Sequence, residues 1–249
     1  MESTIELKPQ TECTLPAAPI WQDVLAQAVT GELVAAMNYS ALAAICDDPG
    51  EIDEALEHAA IERRHAAVFL AAGRRMGVEV IANVDGKHWK KIRESFQRRV
   101  EARDYIGCLI IQEIMLESFA LASYNRVAKV APEYLADVFG AIAKDEQEHA
   151  DHAMAILKAE RDANAPLFDD KLHELHLDVM TTLAKMLAKE CKDGHCEVCQ
   201  SSCVKPDLIE VNLSAALLRG ASLQQYLRTL DTLGLPGEVT LTWVAQLPV

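Results

Sequence analysis

Of the 249 residues half are hydrophobic, enough to bury one substantial core and too many for a chain that stays disordered. Only 5% are aromatic while Ala and Leu abound, which favours close-packed helices over a β-sandwich. The net charge is −14, and no Lys/Arg run exceeds doublets such as Lys90-Lys91 and Arg98-Arg99, so no nucleic-acid partner is expected.

Residues 1-18 carry Pro9, Pro16 and scattered polar groups without a period, and read as a flexible tail. The start, Met1-Glu2-Ser3-Thr4-Ile5-Glu6, lacks the basic opening and apolar core of a signal peptide. No apolar stretch is read as approaching the roughly 20 residues of a membrane span. The expected location is cytoplasmic. From Trp21 a helical pattern carries Val24, Leu25, Val29, Leu33 and Leu42 to a stop at Asp47-Asp48-Pro49-Gly50. A second helix is expected from about Glu51 to Met76, ending at Gly77. After a looser segment over 78 to 94, with a short helix following Asp85-Gly86, a long pattern runs from about Ser95 to Val130 until Pro132 breaks it. A fourth helix spans about 133 to 161, and a fifth roughly 169 to 190 after Ala165-Pro166.

Four of the seven Cys then crowd together as Cys191-x4-Cys196-x2-Cys199-x3-Cys203, with His195 between them. The first three have the spacing of a plant-type ferredoxin cluster, but no Cys follows Cys203 to complete it. A tetrahedral zinc site suits the Cys-x2-Cys pair equally. Zinc, an iron-sulfur cluster and a disulfide or unliganded thiol pair all stay open. Leu208, Ile209, Val211, Leu213 and Leu218 suggest a helix ending at Gly220, and Ser222 would cap another reaching Leu233. The end, Val239-Thr240-Leu241-Thr242-Trp243, alternates like a strand, able to pair with a second copy in a homodimer. The expected organisation is a tail over 1-18, a helical bundle over 19-190, and a Cys-rich segment with a helical extension over 191-249.

The pattern with most chemical content is a pair of Glu-x-x-His motifs, Glu62 with His65 and Glu146 with His149. Three-residue spacing on a helix puts carboxylate and imidazole on one face, where both can grip one ion. Each motif is preceded about thirty residues earlier by a Glu in an apolar helix, Glu32 and Glu117. In an antiparallel hairpin, residues equidistant from the tip lie level. The midpoint of Glu32 and Glu62 is 47, at the Asp-Asp-Pro-Gly turn, and that of Glu117 and Glu146 is 131.5, beside Pro132. Two such hairpins would gather four carboxylates and two imidazoles around a dinuclear metal site in a four-helix bundle. Glu113, the rival to Glu117, has a midpoint displaced by two residues, which shifts it about one turn, roughly 6 Å along the axis. Oxygen-rich donors with two neutral imidazoles suit two Fe ions, or a mixed Mn/Fe pair, with positions left for O2. Carboxylates on apolar helices without a cation would cost several kcal/mol each, of that order, or be protonated.

At these residues the chain resembles the cyanobacterial aldehyde-deformylating oxygenases, also called aldehyde decarbonylases. The resemblance rests on Gly31-Glu32 followed by Asn38-Tyr39, on Glu62-Arg63-Arg64-His65 leading to Gly73 and Gly77-Val78-Glu79, on Leu109-Ile110-Ile111, on Glu117-Ser118-Phe119-Ala120-Leu121-Ala122-Ser123-Tyr124-Asn125, and on Lys144-Asp145-Glu146-Gln147-Glu148-His149. It covers about residues 25 to 160 and implies an all-α, ferritin-like di-iron protein. The reaction it implies converts a fatty aldehyde, with O2 and external electrons from a donor such as a ferredoxin, into formate and an alkane one carbon shorter. Tyr39, Tyr124 and Asp145 match family positions that support the ligands. The chain departs from the family by the charged Glu113 and by the Cys-rich segment. Other readings stay open: a di-iron hydroxylase or oxidative-cleavage enzyme acting on another small molecule, a non-catalytic protein that handles iron or scavenges peroxide, and an interaction protein built on the Cys cluster.

Overall fold

A computed structural model describes residues 18 to 187 and 207 to 248, with the backbone alone for residues 18, 19, 148 to 150 and 152. The expected N-terminal tail and the Cys-rich segment lie outside the described residues. Helix α1 (Ala18–Ala43) and α2 (Pro49–Arg75) form one antiparallel hairpin. Its turn is set by Asp48, whose carboxylate accepts from Gly50 N at 2.8 Å and Glu51 N at 3.1 Å, with Pro49 at the first helical position, where its missing N–H costs nothing. α2 closes with Gly77 at φ +70, where Gly77 N reaches Arg74 O and Val78 N reaches Gly73 O, capping carbonyls that would otherwise lack partners.

Helix α3 (Lys87–Glu101) is longer than the short helix expected there, and it is separate from the helix after it. The sequence pattern runs unbroken from 95 to 130, yet Arg103 takes φ 51 and Asp104 caps α4 (Tyr105–Leu109) by accepting from Gly107 N at 3.0 Å. Arg103 is held in that turn by Asp47 Oδ1 at 3.0 Å and Ile45 O at 3.3 Å, contacts from the far side of the chain that no local pattern reports. α4 continues through a π-helical stretch, Ile110–Leu116, into α5 (Glu117–Ala128). The whole segment Tyr105–Ala128 is long and apolar enough by composition to cross a membrane, contrary to the expectation that no stretch comes close. Here it is the central helix of the bundle and is mostly buried.

Helix α6 (Glu133–Ala163) pairs with α5 as the second hairpin, its partner across the bundle being α2. Asn164 ends it and caps α7 (Ala165–Leu175), which runs through a second π-helical stretch, His176–Met180, into α8 (Thr181–Met186). After a 3-10 turn at Asp207–Val211 come α9 (Ala215–Thr232) and α10 (Gly237–Ala245). Ser214, not Ser222, caps α9, accepting from Leu217 N at 3.2 Å; Gly220 and Ser222 lie inside the helix, Ser222 on its buried face. The expected strand at 239–243 is α10. Thr240, Trp243 and Leu247 recur at helical spacing and are buried together, while Thr240 and Thr242 bond their hydroxyls to Gly237 O and Glu238 O. Among the described residues there is no strand, and so no strand edge there for a second copy to extend.

The core falls into two clusters. One gathers Tyr39, Phe96, Ile110, Met115, Leu172 and Tyr226, the other Trp21, Phe69, Tyr124, Val138, Phe139 and Leu213. Tyr39 and Tyr124, one from each, both turn their hydroxyls onto buried carboxylates.

Candidate metal centre

Glu62 and His65 share the buried face of α2. Glu32 on α1 and Glu146 on α6 are buried against them. His65 Nδ1 lies 3.1 Å from Glu146 Oε1, 3.3 Å from Glu32 Oε2 and 3.5 Å from Glu62 Oε2. One ligand atom from each of the four residues falls within 4.8 Å of all the others. Three helices thus bring three carboxylates onto one imidazole.

The electrostatics of this group call for a cation. Burial, then the charges of Glu146 and Glu62, raise the Glu32 carboxyl well above its ordinary range. Burial likewise leads the upward shift of Glu117, with Glu146, Glu62 and Glu113 adding to it. At His65 burial acts downwards, but Glu146, Glu32 and Glu62 outweigh it and the imidazole is held well above its usual value. Like charges gathered away from water favour protons or metal ions over bare carboxylates. Glu32 Oε2 accepts no hydrogen bond although it is buried, and His65 Nε2 lies 3.3 Å from Asp145 Oδ2. Asp145 beside Nε2 favours a proton there, so a metal ion entering among the carboxylates would take the place of the Nδ1 proton, as in a metal-binding imidazole. The donors fit a hard or borderline divalent ion such as Fe or Mn.

Glu117 is buried on α5, and Gln112 Nε2 donates to its Oε1 at 2.7 Å. Asn38 Nδ2 in turn donates to Gln112 Oε1 at 2.8 Å. The Tyr124 hydroxyl donates to Glu32 Oε1, and the Tyr39 hydroxyl to Glu113 Oε1 at 2.7 Å. Neither Gln112 nor Asn38 was expected to act in the site; Gln112 signals itself only as a polar side chain inside an apolar run, and Asn38 also through the Asn38-Tyr39 pair that carries the resemblance.

A cavity of about 180 Å³ adjoins this group. Its lining includes Glu32, Glu62, Glu117 and Glu146 together with apolar side chains such as Val24, Ala28, Ala35, Leu116, Phe119 and Phe139. Trp89 also lines it, fixed by its indole N–H donating to Gln27 Oε1 at 3.2 Å. Leu208, Leu213 and Leu218, from beyond the Cys-rich segment, complete the wall.

The sequence model of a family described as long-chain fatty aldehyde decarbonylase matches residues 20–210. The chain belongs to that family. Among solved structures, it is similar to protein 19 with aldehyde deformylating oxidase activity from Synechococcus, at 21% identity and a TM-score of 0.78, covering 93% of this chain and 98% of that one. The all-helical fold expected from the sequence is therefore the fold of this decarbonylase-family chain. Of the six residues expected as ligands, Glu32, Glu62, His65 and Glu146 meet in one group, and Glu117 lies buried beside them on the same cavity. His149 stands on α6 one turn beyond Glu146, in a part of the helix whose side chains lie outside the described residues, as do Cys191, Cys196, Cys199 and Cys203.

Proposed function

We propose that this member of the family is a di-metal oxygenase that takes a long-chain aldehyde and releases formate and an alkane one carbon shorter. The observation that carries this reading is the joining of a buried carboxylate-imidazole group to an apolar cavity. In it Glu32, Glu62, His65, Glu117, Glu146 and His149 hold two Fe ions, or Mn and Fe. When bound, the metal pair supplies activation of O2 and passage of electrons from an external donor, for which a ferredoxin is our proposal. The chain's own side chains do the rest. Tyr124 orients Glu32, Gln112 orients Glu117, and Asp145 fixes the tautomer of His65, so the ligands are aimed before the metal arrives. Val24, Ala28, Leu116 and Phe119 accept the alkyl chain, gaining roughly 0.8 kcal/mol for each methylene removed from water. The same apolar lining keeps water from the reacting carbon.

The test is direct. Iron-loaded protein, a series of straight-chain aldehydes, O2 and a chemical or ferredoxin reductant are incubated together, and headspace alkanes and formate are measured. Alkane one carbon shorter, in step with formate, is the expected result. Metals that cycle with O2 at a rate no aldehyde changes would point instead to iron handling, and absence of bound metal would remove the reading altogether.

A further inference from the structure

The π-helical stretch Ile110–Leu116 is buried at every residue, and two of its seven are polar, Gln112 and Glu113. Consecutive residues of a regular helix diverge, so one neighbouring helix seldom receives both; π turns are wider, and they occur often at functional sites. Here both side chains meet α1 in register. Gln112 takes the Asn38 amide at 2.8 Å and Glu113 takes the Tyr39 hydroxyl at 2.7 Å. Gln112 continues to Glu117 Oε1 at 2.7 Å, so one residue of the pair reaches a proposed metal ligand while its neighbour sets a further carboxylate alongside. That carboxylate is buried four residues before Glu117 on the same continuous helix, with its Oε1 on the Tyr39 hydroxyl, so its charge falls in the low-dielectric surroundings of the proposed ligands.

The charge count gives Glu113 a consequence. Glu32, Glu62, Glu117 and Glu146 carry four negative charges, which two divalent ions balance. Ionised, Glu113 adds a fifth in the same buried region, its Oε1 accepting from the Tyr39 hydroxyl. We propose that Glu113 sets the charge balance of the metal centre, favouring the oxidised metal pair over the reduced one. This rests on the di-metal reading above. An added negative charge in a region of low dielectric stabilises whichever state carries more positive charge. Glu113 is thus a positioning and charge-setting residue.

Glu113→Gln removes the charge and keeps an oxygen for the Tyr39 hydroxyl. Wild type and variant are loaded with Fe(II) without oxygen, the iron per chain is measured, and the midpoint potential is read by mediated titration followed by electron paramagnetic resonance. The expected result is equal iron content in both and a potential shifted upward in the variant, with Glu113→Asp staying close to wild type. An unmoved potential overturns the proposal, and so does loss of an iron, which would make Glu113 a ligand. Should Glu113→Gln fail to fold, the pair Glu113→Leu with Tyr39→Phe serves instead: it removes the charge together with the hydroxyl that donates to it, an upward shift is expected, and no shift or a downward one overturns the proposal. A wild-type chain that binds no iron overturns the di-metal reading itself, an outcome distinct from a loaded wild type with an unmoved variant.

Discussion

The two ring nitrogens of His65 face different chemistry, Nδ1 among Glu32, Glu62 and Glu146 and Nε2 against Asp145. Removing the Asp145 charge leaves the ligand in place and loosens its aim. Asp145→Asn is expected to weaken iron binding by about tenfold or more at unchanged stoichiometry, as loss of such outer partners usually does; competition with a coloured chelator measures it. Part of the site was legible at this scale, because Glu62 and His65 declare a shared face by spacing alone and the hairpin midpoint puts Glu32 level with Glu62; that Glu146 meets them depends on α6 packing against α2. Glu113 was legible only as an outlier. Neither Glu113 nor Glu117 falls in the closest group, and nothing local showed that Glu113 is buried and bonded to Tyr39, since that depends on a π turn imposed by packing.

Among the elements, breaks with a chemical stop signal were readable and breaks made by long-range contacts were not. Asp48-Pro49-Gly50 carries its cap in its own side chains, so the first hairpin turn could be placed to within a residue or two. Asp48→Ala should cost about 1 kcal/mol and lower the melting temperature by roughly 2–4 °C, measured by circular dichroism. The break at Arg103 depends on Asp47 and Ile45, some 56 residues away in sequence, and read as a continuing helix. At the C-terminal end the alternation of Val239, Leu241 and Trp243 suggested a strand. Burial decided for α10, because Thr240 and Trp243 share its buried face, Leu247 is buried just past its end, and the threonine hydroxyls find carbonyls within the same helix.

At the scale of the whole molecule, His176 ties the C-terminal helices to the bundle. It is fully buried, Nδ1 lying 3.0 Å from the Tyr226 hydroxyl on α9 and Nε2 3.1 Å from Trp243 O on α10. Burial pushes its pKa down to about 4. In the unfolded chain the ring takes up a proton near its usual 6.5, so the unfolded state binds more protons between the two values. The stability due to the neutral ring is present above pH 6.5 and lost as pH falls towards 4, a decline of up to about 3 kcal/mol. Urea midpoints at pH 7 and pH 4.5 should fall further in wild type than in His176→Gln; equal falls would deny the ring this part.

The cavity draws its carboxylates from α1, α2, α5 and α6, but part of its wall from Leu208, Leu213 and Leu218. Part of the cavity's shape is therefore set by a separate stretch of the polypeptide, while Val24, Ala28 and Phe119 shape it from the carboxylate-bearing helices themselves. Drift at those leucines would reshape the cavity while the carboxylate-bearing helices stay under their own constraint, so one bundle can carry differently shaped cavities over the same donor set.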